Sequence, residues 1–314
     1  MMKKIIVVGC GRWGSNHIRT LINLQSLGGV VESDEITQNR LKHEFPGIII
    51  FKSLKDSFNY KSDGYIVSTP PSTHFEVGEE IIRNKKPLLI EKPLTLDYKT
   101  SKKLVDLARK NNVNLMVGHV LLFHPAIRKI KALIDEGFLG NLKYLYSNRL
   151  NLGIIRASED VFWSLASHDL SVFKYLINLD PIEYNSSSQS FLNKGINDIT
   201  IANFKYSNNV KGHIFASWVN PFKEHKLVVI GSKGMLVFED SSDKKDIIFY
   251  KDYYKVGIDG TIEAINQKGE IIIYDKESKP LTNELNYFIQ NLDKQIEVSS
   301  GNIGLEVVRL LEEI

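Results

Sequence analysis

The stretch Ile5-Ile6-Val7-Val8-Gly9-Cys10-Gly11-Arg12-Trp13-Gly14, with Gly29-Val30-Val31-Glu32 after it, decides the fold. Four apolar residues read as a buried strand, three glycines in GxGxxG spacing as a turn into a helix, and Gly29–Val31 as a second strand that delivers an acid. Gly9 permits the tight turn, Gly11 leaves bare backbone for a pyrophosphate, and Gly14 lets the helix pack close to the strand. The free N–H groups and positive dipole end of that helix then face phosphate oxygens. Glu32 lies eighteen residues beyond Gly14, about where a carboxylate accepts both hydroxyls of an adenosine ribose. A dinucleotide is therefore expected on Gly9, Gly11, Arg12, Trp13, Gly14, Glu32 and Ser33. Glu32, Asp34 and Glu35 repel a 2′-phosphate, which favours NAD over NADP. Arg12 is read as stacking on adenine.

The chain has 314 residues, 43% of them hydrophobic and 25% charged, with a formal net charge of +3. That length suits two domains, and the composition is that of a soluble globular protein. Lysine pairs such as Lys3-Lys4 and Lys102-Lys103 are spread along the chain and read as solvated faces, not a nucleic-acid footprint. No apolar run reaches the ~20 residues that span a bilayer. The opening segment is a strand, not a signal peptide. The one cysteine, Cys10, excludes an internal disulfide and a cysteine metal cluster, and fits a reducing cytoplasm. It is read as a small buried filler of the glycine loop, with a reactive thiol as the alternative.

Past Glu32, strand-like pieces at 48–51, 64–68, 87–90 and 114–117 alternate with helical segments at 37–45, 75–84 and 97–111. This alternation predicts an α/β domain, a doubly wound parallel Rossmann sheet, over residues 1–119. Asp97 reads as a helix N-cap. From 120 to 314 the pattern changes to an α+β domain with a large, mainly antiparallel sheet. It has a helix at 126–136, a long strand at 142–152, a helix at 168–176 and seven strands between 182 and 274. Asn208-Asn209 reads as a hairpin turn. Helices at 283–292 and 302–313 close this second domain.

Two loops at the carboxyl edge of the first sheet carry unusual residues. One is Ser68-Thr69-Pro70-Pro71-Ser72-Thr73-His74, whose prolines can wall a flat ring. The other is Glu91-Lys92-Pro93-Leu94. A lysine at a strand end beside a cofactor can fix a substrate hydroxyl and hold a developing alkoxide. Taken alone it also reads as an ordinary surface lysine.

Together, the Gly9–Gly14 loop, Thr69-Pro70-Pro71 and Glu91-Lys92-Pro93 resemble the Gfo/Idh/MocA family of NAD(P)-dependent oxidoreductases over the whole chain. The resemblance implies hydride exchange between nicotinamide and a carbinol carbon, usually of a sugar. It implies that Lys92 is catalytic, that Glu91 lies beside the nicotinamide ribose, and that Thr69, Pro70 and His74 line the cofactor. The family's catalytic histidine maps onto His168. Its flanking acids are replaced by Ser164 and Ser171, with Asp169 directly after the histidine instead. Val120-Leu121-Leu122 stands where many members have Asn-Arg-Arg.

Gly118–Pro125, Ser147–Gly153 and Trp163–Asp169 resemble a nucleotide-sugar subgroup, the UDP-N-acetylglucosamine 3-dehydrogenases of surface-glycan and lipid A pathways. The substrate implied is a UDP-sugar oxidised at C3, whose keto product a separate PLP-dependent transaminase aminates. Other readings are a UDP-N-acetylhexosaminuronate or polyol dehydrogenase, and an NAD-sensing regulator without chemistry. Side chains alternate along the 142–152 strand, so Arg149 and Asn151 point the same way and Arg156 follows in the next loop. Arginine forks suit a diphosphate; pairing of Arg149 with a core acid is equally open. Trp163 stacks on a sugar or uracil ring, or fills the domain junction, and Asp169 is placed with the substrate. His168 is read as the base that takes the hydroxyl proton, with a structural helix cap as the alternative. No grouping of His, Asp and Glu has metal-ligand spacing. A homodimer or homotetramer through the second sheet is expected, in the cytoplasm, with no nucleic acid and no membrane.

Overall fold

The structure is a computed structural model that describes residues 2–153, 155, 159–251, 254–265 and 268–314. Its contacts divide the chain into two compact units, residues 1–123 with 278–312 and residues 124–277 with 313–314.

The first unit contains β1 (Ile5–Val8), α1 (Arg12–Asn23), β2 (Leu27–Val31), α2 (Glu35–Glu44), β3 (Ile50–Phe51), α3 (Leu54–Phe58), β4 (Gly64–Val67), α4 (His74–Arg83), β5 (Leu88–Glu91), α5 (Tyr98–Asn111) and β6 (Leu115–Gly118). Short 3-10 turns cover Pro71–Thr73 and Val120–Phe123. The strands form one parallel sheet in the order β3-β2-β1-β4-β5-β6. Helices on both faces explain why Ile5, Ile6, Val7, Ile66, Val67, Leu89 and Ile90 are all buried, as a two-faced sheet requires. Order reverses between β1 and β4, so the loops after these strands meet at the switch point where α/β sheets bind ligands. Asp97 caps α5 as its sequence position predicts, its side chain accepting the Thr100 N–H at 2.8 Å. The α3 turn, held by a Ser53–Asp56 capping box, was not evident in the sequence because five residues carry too little periodicity.

The second unit contains α6 (Pro125–Asp135), β7 (Leu142–Leu150), α7 (Ser167–Ile177), β8 (Pro181–Gln189), β9 (Ile199–Tyr206), β10 (Lys211–Ser217), β11 (Glu224–Gly231), β12 (Gly234–Glu239), β13 (Ile247–Lys251), β14 (Tyr254–Val256), β15 (Ile262–Ala264) and β16 (Glu270–Ile272). An eight-stranded sheet runs β16-β13-β12-β11-β7-β10-β9-β8. It is antiparallel except between β7 and β10. Along β9 the residues alternate between covered and exposed, the pattern of a sheet with one packed and one open face. Asn209, at φ 64°, makes the β9–β10 hairpin turn expected there. A π-helical turn at Phe162–Ala166 runs straight into α7.

The closing helices α8 (Pro280–Gln290) and α9 (Gly301–Glu313) correct the expected division at 119/120, because they belong to the first unit. The reason lies at the sheet edge. β6 is an edge strand, whose open backbone needs cover. Val117 N–H donates to the Ser299 carbonyl at 2.8 Å, and Ser299 Oγ donates back to the Val117 carbonyl at 2.6 Å. The Asn114 side-chain amide donates to the carbonyls of Asn291 and Leu292, at 2.9 and 3.0 Å. α9 then packs so closely that a Cβ on Gly304 would stand 2.4 Å from Val117 Cγ2.

Candidate active site

The glycine loop is built to meet a phosphate chain. Gly9 has φ +86°, and Gly14 lies so near that a Cβ there would come within 2.1 Å of the Gly9 carbonyl. A Cβ on Gly11 would meet nothing within 4 Å. Gly11 is also the N-cap of α1 and provides no side-chain cap. The first N–H groups of the helix therefore open onto free space, as a pyrophosphate needs. Glu32 reaches the same loop: its carboxylate accepts the N–H of Cys10 and that of Asp34, each at 3.0 Å. Trp13 is half exposed at 47%, and Arg12 and Ser33 are exposed as well. These residues fit a dinucleotide.

Sequence reading missed Arg40. From α2 its guanidinium donates to the Cys10 carbonyl at 2.6 Å and to Ser15 Oγ at 3.2 Å, bracing the loop from behind. Only the fold brings the two together, thirty residues apart, and no local signal marks it. Cys10 is the buried filler: its thiol is pushed up to about 12, first by burial and then by the Glu32 carboxylate.

His74, expected beside the cofactor, opens α4 with both ring nitrogens taken up by backbone carbonyls. It is wholly buried, with Nδ1 2.9 Å from the Pro93 carbonyl and Nε2 2.9 Å from the Thr69 carbonyl. Burial lowers its affinity for a proton. It staples the Thr69-Pro70 loop to the Lys92-Pro93 loop, and so fixes the lysine-bearing turn relative to the switch point.

Lys92 leaves the end of β5, the strand between β4 and β6, through a cis Lys92–Pro93 peptide. The preceding Glu91 is bonded at Oε1 by Nε2 of His17, 2.7 Å away on the buried face of α1. On the other side, Gly118 passes so close that a Cβ there would stand 3.0 Å from Glu91 Oε2. His119 is 1% exposed and cannot hold a proton at neutral pH; burial, then the Lys92 ammonium, pull it down to about 3. His17 and His119 were not singled out for chemistry by sequence. The available signal for His17 was a histidine on the apolar stripe with Gly14, Ile18 and Leu21.

In the second unit His168 occupies the first turn of α7, partly exposed, beside buried Asp169. The structure decides Arg149 in favour of the core acid. Its Nε and Nη2 grip Asp169 in a fork at 2.5 and 2.9 Å, and Ser147 Oγ donates to Asp169 Oδ1 at 2.5 Å. This corrects the placing of both residues with the substrate: Asp169 is 3% exposed and its oxygens are already bonded. The β7 alternation that puts Ser147 and Arg149 on one face aims them at α7, not at open space. Asn151, just past β7, is half-buried, and its N–H donates to the Ser217 carbonyl at 2.9 Å. Trp163 is half-buried in the π-helical turn, with its N–H on Asp160 Oδ1 at 3.0 Å. Arg156 lies outside the described residues. Among the described residues no group of three His, Cys, Asp or Glu could hold a metal, and no helix is long and apolar enough to cross a membrane.

The parallel sheet, the open glycine loop and the acid that follows β2 are the parts of a dinucleotide-binding fold. Residues 3–119 match the family model described as "Oxidoreductase family, NAD-binding Rossmann fold", and residues 127–237 match the GFO/IDH/MocA C-terminal domain. The chain belongs to the Gfo/Idh/MocA family, and its first unit is an NAD-binding Rossmann domain. It is similar to the UDP-N-acetylglucosamine 3-dehydrogenase of Acidithiobacillus ferrooxidans, 30% identical over 183 residues, 56% of this chain and 55% of that protein. In sequence the chain thus spans about half the length of this relative. A solved structure of that enzyme superposes over 100% of this chain and 97% of its own, with a TM-score of 0.87 and 22% identity. The WlbA dehydrogenase of Bordetella pertussis, solved with NADH and UDP-GlcNAcA, shares the fold with a TM-score of 0.79 and 18% identity, covering 100% of this chain and 95% of that one. The scyllo-inositol 2-dehydrogenase (NAD(+)) of Bacillus subtilis is 24% identical over 245 residues, 73% of this chain and 72% of that protein.

Proposed function

We propose that the protein oxidises the C3 hydroxyl of a UDP-N-acetylhexosamine, UDP-N-acetylglucosamine by preference, in an NAD-dependent reaction. The observation that carries the reading is the placing of Lys92: it stands at the carboxyl end of β5, in a turn stapled by His74 to the Thr69-Pro70 loop at the switch point. The likeness to a UDP-N-acetylglucosamine 3-dehydrogenase supports the choice of sugar. NAD⁺, when bound, supplies the hydride acceptor. The first N–H groups of α1 and the bare backbone of Gly11 hold its pyrophosphate, Glu32 its adenosine ribose, and Glu91 the second ribose. Lys92 donates a hydrogen bond to the reacting hydroxyl and stabilises the oxygen as negative charge grows on it. His168 takes the hydroxyl proton as the general base. Arg149 and Asp169 hold the first turn of α7, and with it His168. Asn151, Arg156 and Trp163 complete the substrate contacts.

The product is a 3-keto sugar that a PLP-dependent transaminase consumes in surface-glycan synthesis. The protein works in the cytoplasm as a homodimer or homotetramer joined through the open face of its large sheet. A second reading, polyol oxidation, is favoured by the likeness to an inositol dehydrogenase. A panel of UDP-N-acetylglucosamine, UDP-N-acetylglucosaminuronate and myo-inositol, followed by NADH absorbance at equal concentrations, tests the choice. UDP-N-acetylglucosamine should give the highest kcat/KM; a higher value with myo-inositol overturns the proposal.

A further inference from the structure

The face of α1 that packs on the parallel sheet carries an imidazole, His17, among Gly14, Ile18 and Leu21. His17 is 0% exposed, and its Nδ1 has no hydrogen-bond partner among the described residues. A nitrogen buried in that way costs stability that an aliphatic side chain at the same position would not. The use of the imidazole lies at its other end, where Nε2 stands 2.7 Å from Glu91 Oε1. A carboxylate has no proton to give, so Nε2 is the donor. The second oxygen of Glu91, Oε2, accepts the backbone N–H of Lys92 at 3.3 Å. Glu91 is therefore a bridge from α1 to the main chain of Lys92. It has little room on its far side. Gly118 is its partner across β5 and β6, and a Cβ there would stand 3.0 Å from Oε2 and 3.1 Å from Cδ.

We propose that His17 is a positioning residue for Lys92, acting through Glu91: it fixes the carboxylate that holds the Lys92 main chain, and so fixes the root from which the ammonium reaches the reacting hydroxyl. The proposal rests on the reading of Lys92 as the catalytic lysine. His17 does this from the helix whose first N–H groups meet the pyrophosphate. Gly11, the N-cap of that helix, and His17 are six residues apart, about 9 Å of helix. The phosphate seat and the brace of the lysine turn are thus two points on one rod. His74 secures the same turn one residue later, at the Pro93 carbonyl. Each imidazole therefore holds one side of Lys92.

The test is kcat at saturating NAD and saturating sugar, with the best substrate of the panel above. His17→Gln puts an amide nitrogen where Nε2 stood and should keep kcat within about twofold of the wild type. His17→Asn, whose amide nitrogen falls where Nδ1 stood, does not reach Glu91 and should lose about tenfold. Both side chains are polar, so the pair isolates the bond from the burial of an amide. Equal kcat in the two variants overturns the proposal. In a Lys92→Ala background no ammonium is left to place, and His17→Asn should change kcat by less than about twofold. A further loss of about tenfold in that background marks a general loosening of the fold and also overturns the proposal. The reading of Lys92 is judged separately. Wild-type turnover in Lys92→Ala overturns that reading and this proposal together, whereas a large loss there with the Gln and Asn variants alike overturns the proposal alone.

Discussion

Each unit has a carboxylate next in sequence to a candidate catalytic residue, and the two are held differently. Glu91, before Lys92, is held at Oε1 by a histidine nitrogen at 2.7 Å and at Oε2 by the Lys92 backbone N–H at 3.3 Å. Asp169, after His168, is held by the two-pronged fork of Arg149 and by a serine hydroxyl. The arginine is charged at any pH the protein meets and its fork admits one geometry. A histidine partner can be neutral or charged, and it rotates about two bonds. The comparison teaches that Asp169 is a fixed strut for α7, whereas Glu91 rests on one imidazole and a backbone N–H, with no second charge among the described residues to lock it.

The largest effect is expected from breaking the strut. Asp169→Ala strands the Arg149 guanidinium, only 12% exposed in its side chain, and should cost about 3–5 kcal/mol of unfolding free energy in urea titrations. A loss below about 1 kcal/mol would mean the fork is ornamental. Lys92→Ala should lower kcat about a thousandfold, a barrier increase of ~4 kcal/mol, while NAD affinity from fluorescence titration stays within about twofold. His17→Ala should cost about 1–3 kcal/mol of stability, since it leaves the Glu91 oxygen without its donor, and should weaken NAD binding more than Asp169→Ala does.

The smallest effect sharpens the comparison through pH. His119 in the first unit is held near 3 and His225 in the second near 4, the latter by burial first and then by Arg149, against an ordinary value of 6.5. Both stay neutral in the fold while the unfolded chain takes up protons. The stability they supply is whole above about pH 6.5 and is lost as pH falls toward those values. His119→Asn and His225→Asn should each flatten the fall in melting temperature between pH 6 and pH 4. An unchanged acid limb in both variants would show that neither imidazole is shielded.

Legibility in the sequence followed chain separation. The glycine loop, Glu32, the Asp97 cap, the Asn208-Asn209 turn and the parallel sheet were readable because each is written within a few residues or one βαβ unit. The pairs that define the surroundings of the two candidate catalytic residues were not. His17 and Glu91 are 74 positions apart, and Arg149 and Asp169 are 20 apart across a strand–helix contact. Alternation along β7 showed that Arg149 and Asn151 share a face but not which face is covered. For His74, position beside a proline-rich loop suggested a ligand contact; its burial between two carbonyls is a product of packing that no spacing encodes. The return of α8 and α9 was hidden for the same reason, since helical periodicity says that a face is apolar but not which sheet edge it will cover.

That return has a consequence for biosynthesis. The Rossmann sheet is finished only when residues 299–311 arrive to cover β6, so the nucleotide-binding unit, though it begins the chain, is the last to close. Until translation delivers those residues, Leu115, Met116 and Val117 remain an uncovered ribbon for which nascent-chain chaperones compete. Loss of the final fifteen or so residues by a premature stop should therefore abolish cofactor binding, although no glycine-loop residue is missing.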